Sequence, residues 1–304
     1  MSQIKGENNE YIQKNYFNSS YFFIFETILL VFLNKKKQIY LMKKSKSLVK
    51  NLQYVYDIAK QETPKVNLNG RKKMLRHHIV NLLNGNKNIG IELGVAKGGY
   101  SKRMINSKKF SHFYGVDAYS DKHDTAQYCQ ALKYIGFKNS QYSLLRVDFD
   151  SALNMFDDNY FDFIYIDGYA HTGEEGGKTI VDWFKKLKVG GILAGDDYHQ
   201  GWPLVTWAVN DFASQINSTI NLTLGRDKSG GYNSNPSWYF VKKNKNIIPK
   251  VNQKIFQIAM KEKIRIHKLR ENKRKGNIIM RCIVKILDLL GIKHLVKNFL
   301  ISFR

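Results

Sequence analysis

Between residues 85 and 243 the chain alternates short apolar runs with amphipathic stretches. Seven runs have strand length: "NIGIELG" (88–94), "HFYGVDA" (112–118), "YSLLRVD" (142–148), "FDFIYID" (161–167), "GGILAGD" (190–196), "TINLTLG" (219–225) and "SWYFVKK" (237–243). Helical spacing fills 99–107, 123–135, 151–155, 174–187 and 204–216. Strands alternating with helices predict a parallel sheet covered by helices. No helix separates the last two runs, so an antiparallel pair is expected at one end of the sheet.

The flanks follow other patterns. "YFFIFETILLVFL" (21–33) is the most apolar run, but it is shorter than the roughly 20 residues a spanning helix needs, and Glu26 interrupts it. Lys35, Lys36 and Lys37 follow in place of a small-residue cleavage site, which argues against a signal peptide. The run reads as an interfacial anchor, or as sequence upstream of a true start at Met42. After 243 come two basic amphipathic stretches, 250–275 and 278–303. The second carries Arg281, Lys285, Asp288, His294 and Asn298 on one helical stripe and is apolar over much of the rest. Such a helix suits a membrane interface, and it equally suits docking on the core or on another subunit. The expected divisions are an apolar and basic extension (1–41), a helical segment (42–84), the α/β domain (85–243) and a basic helical tail (244–304).

Charge sharpens this division. The 304 residues carry a formal charge of +24, split as +10 over residues 1–84, −1 over 85–241 and +15 over 242–304. A near-neutral domain between basic flanks points to an anionic partner such as a membrane surface or nucleic acid, or simply to solvated tails. Cys129 and Cys282 are far apart in sequence, which argues against a disulfide scaffold or a cysteine zinc site and for a reducing compartment.

The chemistry gathers at strand ends. "IELGVAKGGYS" (91–101) follows the first core strand and opens a helix. Gly94, Gly98 and Gly99 permit a tight turn and close backbone approach to a ligand. Amides at the helix start suit a carboxylate or phosphate. The spacing is not that of the dinucleotide fingerprint. Glu92 before the first glycine suits an ammonium group, as found on an amino acid or on S-adenosylmethionine. Asp117 ends the second strand, where an acid suits ribose hydroxyls, and Asp148 ends the third, near where an adenine edge would lie.

These motifs, with "DFIYIDGYAH" and "LKVGGILAGDDY", resemble the class I S-adenosylmethionine-dependent methyltransferases over about half the chain. More narrowly they are similar to bacterial relatives of catechol and macrolide-sugar O-methyltransferases and to the cephalosporin-hydroxylase-like group. The resemblance implies a Rossmann-like three-layer α/β sandwich. Its sheet would have seven mostly parallel strands with an antiparallel last strand. It also implies cofactor contacts at Glu92, Gly94, Gly98, Tyr100, Ser101, Asp117, Asp148 and Asp167. One departure is visible: catechol-type enzymes have one residue fewer between the first glycine and the Tyr-Ser pair.

Asp167 ends the fourth strand, and Asp196 and Asp197 end the fifth. Three converging carboxylates repel one another unless a cation is present. Mg²⁺ or another hard divalent ion, rather than a side-chain cation, is the expected partner, and the resemblance implies the same. The ion would orient a substrate hydroxyl and lower its pKa. His171 is the expected general base, with His199 in reserve. The Asp-Gly-x-x-His arrangement is similar to sugar-modifying relatives that use a histidine there. The expected activity is O-methylation of a sugar, glycan or other polyhydroxylated small molecule, by an enzyme in the cytoplasm or on the inner face of the membrane. A nucleic-acid methyltransferase fits less well, since "IDGYAH" stands where an Asn-Pro-Pro-aromatic motif would fall. "NPSW" (235–238) comes far later and reads as a turn. The intact acids disfavour a binding protein without activity, and the glycine loop disfavours an iron and 2-oxoglutarate hydroxylase.

Overall fold

The computed structural model describes residues 51–120, 123–137, 139–225, 235–244, 246–289 and 291. Contacts divide the chain into Met1–Leu48 and Val49–Arg304. The first unit and the apolar run at 21–33 lie outside the described residues, as does half of the stretch at 278–303.

Eight strands build the sheet: β1 (Leu68–Arg71), β2 (Asn88–Leu93), β3 (Phe110–Val116), β4 (Tyr142–Leu145), β5 (Phe161–Ile166), β6 (Leu187–Gly195), β7 (Ile220–Thr223) and β8 (Trp238–Val241). Their spatial order is β1-β7-β8-β6-β5-β2-β3-β4. All pairings are parallel except those of β8 with β6 and β7. The fold is therefore the Rossmann-like α/β sandwich expected, including the antiparallel pair. The strand count is corrected from seven to eight. β1 is four residues of "LNGR", mostly exposed at the sheet edge, and has no apolar pattern by which to be read.

β5 lies at the centre, flanked by β2 and β6, which is why nearly every position in "FDFIYI" is buried. Its side chains alternate between two cores. Ile164 and Ile166 enter one with Trp183, Val205 and Phe212, which belong to α5 (Lys178–Lys186) and α6 (Pro203–Gln215). Phe163 and Tyr165 enter the other with Tyr100 and Met104 of α2 (Gly99–Asn106) and with Ile79 and Val80 of a 3₁₀ turn, Arg76–Leu82. Two short helices carry their own start signals. Asp124 caps α3 (Thr125–Ile135) by accepting from the Gln127 N–H at 3.0 Å, and Asp148 caps α4 (Phe149–Leu153) by accepting from the Ser151 N–H at 2.9 Å.

The flanks pack onto this sandwich. α1 (Gln53–Glu62) buries Val55 and Ala59 against Leu204 and Trp207 of α6 and against Ile255, Ile258 and Ala259 of α7 (Gln253–Leu289). The first half of the basic C-terminal stretch is thus a packed wall of the domain. No helix among the described residues is long and apolar enough to cross a membrane.

Candidate active site

The carboxyl ends of β2, β3 and β5 open onto two adjoining cavities of about 500 and 620 Å³. Both are lined by Gly94, His123, Asp167, Gly168, Tyr169 and His171, and both by Arg270 of α7. The first also takes in Asp117, Asp148 and Phe149, with Phe256, Met260 and Ile266 of α7 opposite. The second takes in Arg76, Glu92, Lys97, Gly99, Tyr100, Arg103, Asp197 and Trp202.

The glycine loop is tight for a specific reason. Gly94 adopts φ +97°, and a Cβ there would lie 1.9 Å from the Asp167 carbonyl oxygen. Only glycine lets β2 and β5 release their chains this close together. Gly98 has φ +81° and packs against Ile135, so it shapes the turn from behind and does not line either cavity. Gly99 does line the second cavity and has open space in front of it.

Glu92 is only 2% exposed and accepts a short hydrogen bond from the Ser101 hydroxyl. Burial pushes its carboxyl well above the ordinary range; the Ser101 bond opposes this, and the Asp167 charge adds to it. Ser101 is fully buried and also accepts from the Tyr142 hydroxyl at 3.1 Å. It is therefore a prop beneath Glu92 and lines neither cavity, which revises the expected cofactor contact. Tyr100 lines the second cavity and stacks on Tyr165 at 4.0 Å between ring centroids.

Asp117 reaches the first cavity but is tied into its own loop. It accepts from the N–H groups of Ala96 (2.9 Å) and Tyr119 (3.0 Å) and lies 3.1 Å from His123 Nδ1. Burial pushes its carboxyl up, but the His123 and backbone hydrogen bonds outweigh it and hold it below the ordinary value. Asp148 lines the same cavity while capping α4, and its hydrogen bonds from Ser151 lower its pKa. An acid wall beside the Phe149 ring and an apolar helix face suits a nucleoside with free hydroxyl and amino donors. These residues fit the adenosyl part of S-adenosylmethionine.

The acids after β5 and β6 gather differently from the expectation. The Arg76 guanidinium lies between two of them, with Nη1 2.5 Å from Asp196 Oδ2 and 3.2 Å from Asp167 Oδ2. Asp196 also accepts from the Ser237 hydroxyl at 2.9 Å, and Asp197 accepts from the Asn235 amide at 2.5 Å. Asp197 lines the second cavity, whereas Asp196 lines neither. The metal reading is corrected on this point. The partner of Asp167 is a side-chain cation, and each acid has its hydrogen-bond partner from the protein. A dication at the same place would be repelled by the guanidinium it adjoins. Among the described residues no group of three or more ligating side chains is placed to hold a metal. Even with Arg76, burial and the Asp196 charge push Asp167 up to about 7, with Arg76 holding the rise back. Burial, then Asp196, raises Asp197 as well.

His171 is 6% exposed, on a 3₁₀ turn (Ala170–Thr172) just after β5. Its carbonyl accepts from the Asn51 amide at 2.7 Å, which fixes the turn from the outside. His199 is exposed, accepts from the Gly201 N–H at 2.9 Å and lines neither cavity, so the reserve residue is not brought to the site. Beyond His171 the backbone makes a left-handed turn, with φ +60°, +52°, +51° and +66° at Gly173, Glu174, Glu175 and Gly176. Strain of this kind persists where surrounding structure dictates it.

Four contributors escape sequence reasoning: Arg76, Asn235, Ser237 and the α7 wall. "NPSW" reads as a plain turn, yet Asn235 and Ser237 hold Asp197 and Asp196 because β8 runs antiparallel beside β6 and starts where β6 ends.

Residues 91–198 match a family model described as a methyltransferase domain. No curated protein matches the chain. Among solved structures, it is similar to a complex of the Haloferax volcanii Trm112 methyltransferase activator with a protein described as the methyltransferase (19% identity, 40% of this chain and 50% of that chain, TM-score 0.33). It is also similar to a spermidine synthase from Thermotoga maritima (18% identity, 58% and 61%, TM-score 0.43). A Methanococcus maripaludis protein described as an S-adenosyl-L-methionine-dependent methyltransferase is similar as well (17% identity, 70% and 95%, TM-score 0.40). The chain spans half the length of the first of these. At TM-scores below 0.5 these likenesses carry no functional weight. The chain carries a methyltransferase domain over residues 91–198.

Proposed function

We propose that the protein methylates a hydroxyl oxygen on a sugar or similar polyhydroxylated small molecule, with the first cavity holding the adenosyl group and the second admitting the acceptor. The observation that carries the oxygen reading is the buried His171, which lines both cavities, as Asp167 does. An imidazole titrates near neutrality and can take a hydroxyl proton at cellular pH. When bound, S-adenosylmethionine supplies an electrophilic methyl group on a good leaving group, so positioning and deprotonation account for most of what the protein must add. The Asn51 bond to the His171 carbonyl orients the base, and α7 excludes water from one side. Arg76 keeps the Asp167 and Asp196 carboxylates in place, the task assigned from sequence to a metal.

The test is calorimetry with S-adenosylmethionine, followed by a screen of sugars and nucleotide sugars with methyl-labelled donor. Binding with transfer to an oxygen supports the reading; absent binding, or transfer to nitrogen only, ends it.

The exposed Ile278, Ile286 and Leu289 among Lys275, Arg281 and Lys285 on the far half of α7 support placement at an anionic membrane surface. Co-sedimentation with vesicles containing phosphatidylglycerol checks this, and equal binding to neutral vesicles would contradict it.

A further inference from the structure

We propose that one face of α7, led by Phe256 and Met260, closes over the base of the bound donor. Donor affinity then depends on a helix outside the segment that matches the methyltransferase domain. The inference rests on the reading of the first cavity as the adenosyl site.

A nucleoside base is flat and has two faces to remove from water. In the first cavity Asp117 suits the ribose hydroxyls and Asp148 an adenine edge, and the Phe149 ring beside Asp148 offers one apolar face. The other large apolar side chains lining this cavity are Tyr169, Phe256, Met260 and Ile266. Tyr169 lines both cavities, whereas the three α7 residues line the first alone. The face opposite Phe149 therefore comes from α7. Phe256 and Met260 lie one turn apart on the same side of the helix. Both are half-buried, while Ile255, Ala259 and Glu262 on the neighbouring stripe are buried against the domain. The helix packs one stripe on the core and presents the next to the cavity.

Three contacts hold α7 at this place. Gly176 has φ +66°, and a Cβ there would lie 2.6 Å from the Phe256 Cα. The left-handed turn at 173–176 is thus the seat on which the helix backbone rests at Phe256 itself. Lys263 Nζ lies 2.9 Å from Glu175 Oε1 of the same turn. Glu262, 1% exposed, accepts from the Asn51 amide at 2.9 Å, and that amide also donates to the His171 carbonyl at 2.7 Å. A wall fixed in advance costs the ligand little ordering when it binds.

The test is calorimetry on the whole protein with S-adenosylhomocysteine and, by competition, with S-ribosylhomocysteine, which lacks the base. Phe256→Ala should weaken S-adenosylhomocysteine roughly tenfold or more, the scale of base–aromatic stacking, and change S-ribosylhomocysteine by no more than about twofold. Phe256→Tyr should restore most of the loss. Ile264→Ala, on the exposed side of α7 and off both cavities, should leave both affinities unchanged. Hydrogen exchange across residues 253–266 of the wild type should slow when S-adenosylhomocysteine binds. Three results overturn the inference: unchanged S-adenosylhomocysteine affinity in Phe256→Ala, an equal loss for both ligands, or unaltered exchange in α7. All three leave the donor reading standing. If the wild-type protein does not bind S-adenosylhomocysteine, the donor reading fails and this inference fails with it.

Discussion

Replacing Arg76 by methionine keeps the length of the side chain and removes its charge. Arg76 is 14% exposed, Asp196 13% and Asp167 30%. At an effective dielectric of about 20, a unit pair at the observed separations gains roughly 5–7 kcal/mol before desolvation is subtracted. Breaking a buried pair costs about 3–5 kcal/mol, and water reaching Asp167 argues for the lower end, about 3 kcal/mol at pH 8. The pH dependence is the sharper test. Asp167 has a folded-state pKa raised from 3.8 to about 7, so its protonated form is favoured by folding. Stability from this group is full below the unfolded value and is lost as pH rises toward 7. At pH 5 the folded protein already holds that proton, and only the Asp196 pair is at stake. Urea unfolding followed by circular dichroism should therefore show a loss about half as large at pH 5 as at pH 8. The variant also frees the two acids that Arg76 holds, so millimolar Mg²⁺ should stabilise Arg76→Met at pH 8 and leave the wild type unchanged. An equal loss at both pH values would refute the electrostatic reasoning. Stabilisation of the wild type by Mg²⁺ would restore the metal reading.

Two further outcomes follow from geometry. His171→Ala should lower kcat by about 10²–10⁴ while S-adenosylhomocysteine affinity is retained, measured by initial rates and calorimetry; unchanged turnover at neutral pH would remove His171 as the base. Gly94→Ala places a methyl group 1.9 Å from the Asp167 carbonyl in a left-handed backbone. Thermal unfolding should show a loss of a few kcal/mol, larger than the roughly 1–3 kcal/mol of backbone strain alone, and donor binding should fall with it. Wild-type melting would show that the loop relaxes freely.

The sequence makes the central sheet legible because buried parallel strands leave near-continuous apolar runs. "FDFIYI" stands out for the same reason that it is buried on both faces. The acids that end β5 and β6 are legible with it, since parallel neighbours end together. β1 is not, because an exposed edge strand needs no apolar face. The α7 wall is not, because a basic amphipathic helix reads alike whether its apolar stripe meets lipid, another subunit or the domain's own core. Ile255, Ile258 and Ile266 meet the core.

Arg76 shows why a correct inference about need can name the wrong supplier. Convergent carboxylates require positive charge, and that follows from Asp167, Asp196 and Asp197 alone. What supplies it depends on a residue 91 positions before Asp167, on a 3₁₀ turn with no motif, in a chain holding 49 Lys and Arg residues. No spacing rule singles out one arginine among so many. A guanidinium also differs from a dication in its consequence. It satisfies carboxylates with directional hydrogen bonds but offers no open coordination position to an acceptor hydroxyl. In the proposed reaction the burden of deprotonation falls on His171 rather than on a metal, and acceptor binding falls to the cavity walls. These walls include α7, the part of the chain that the sequence marks only by its charge.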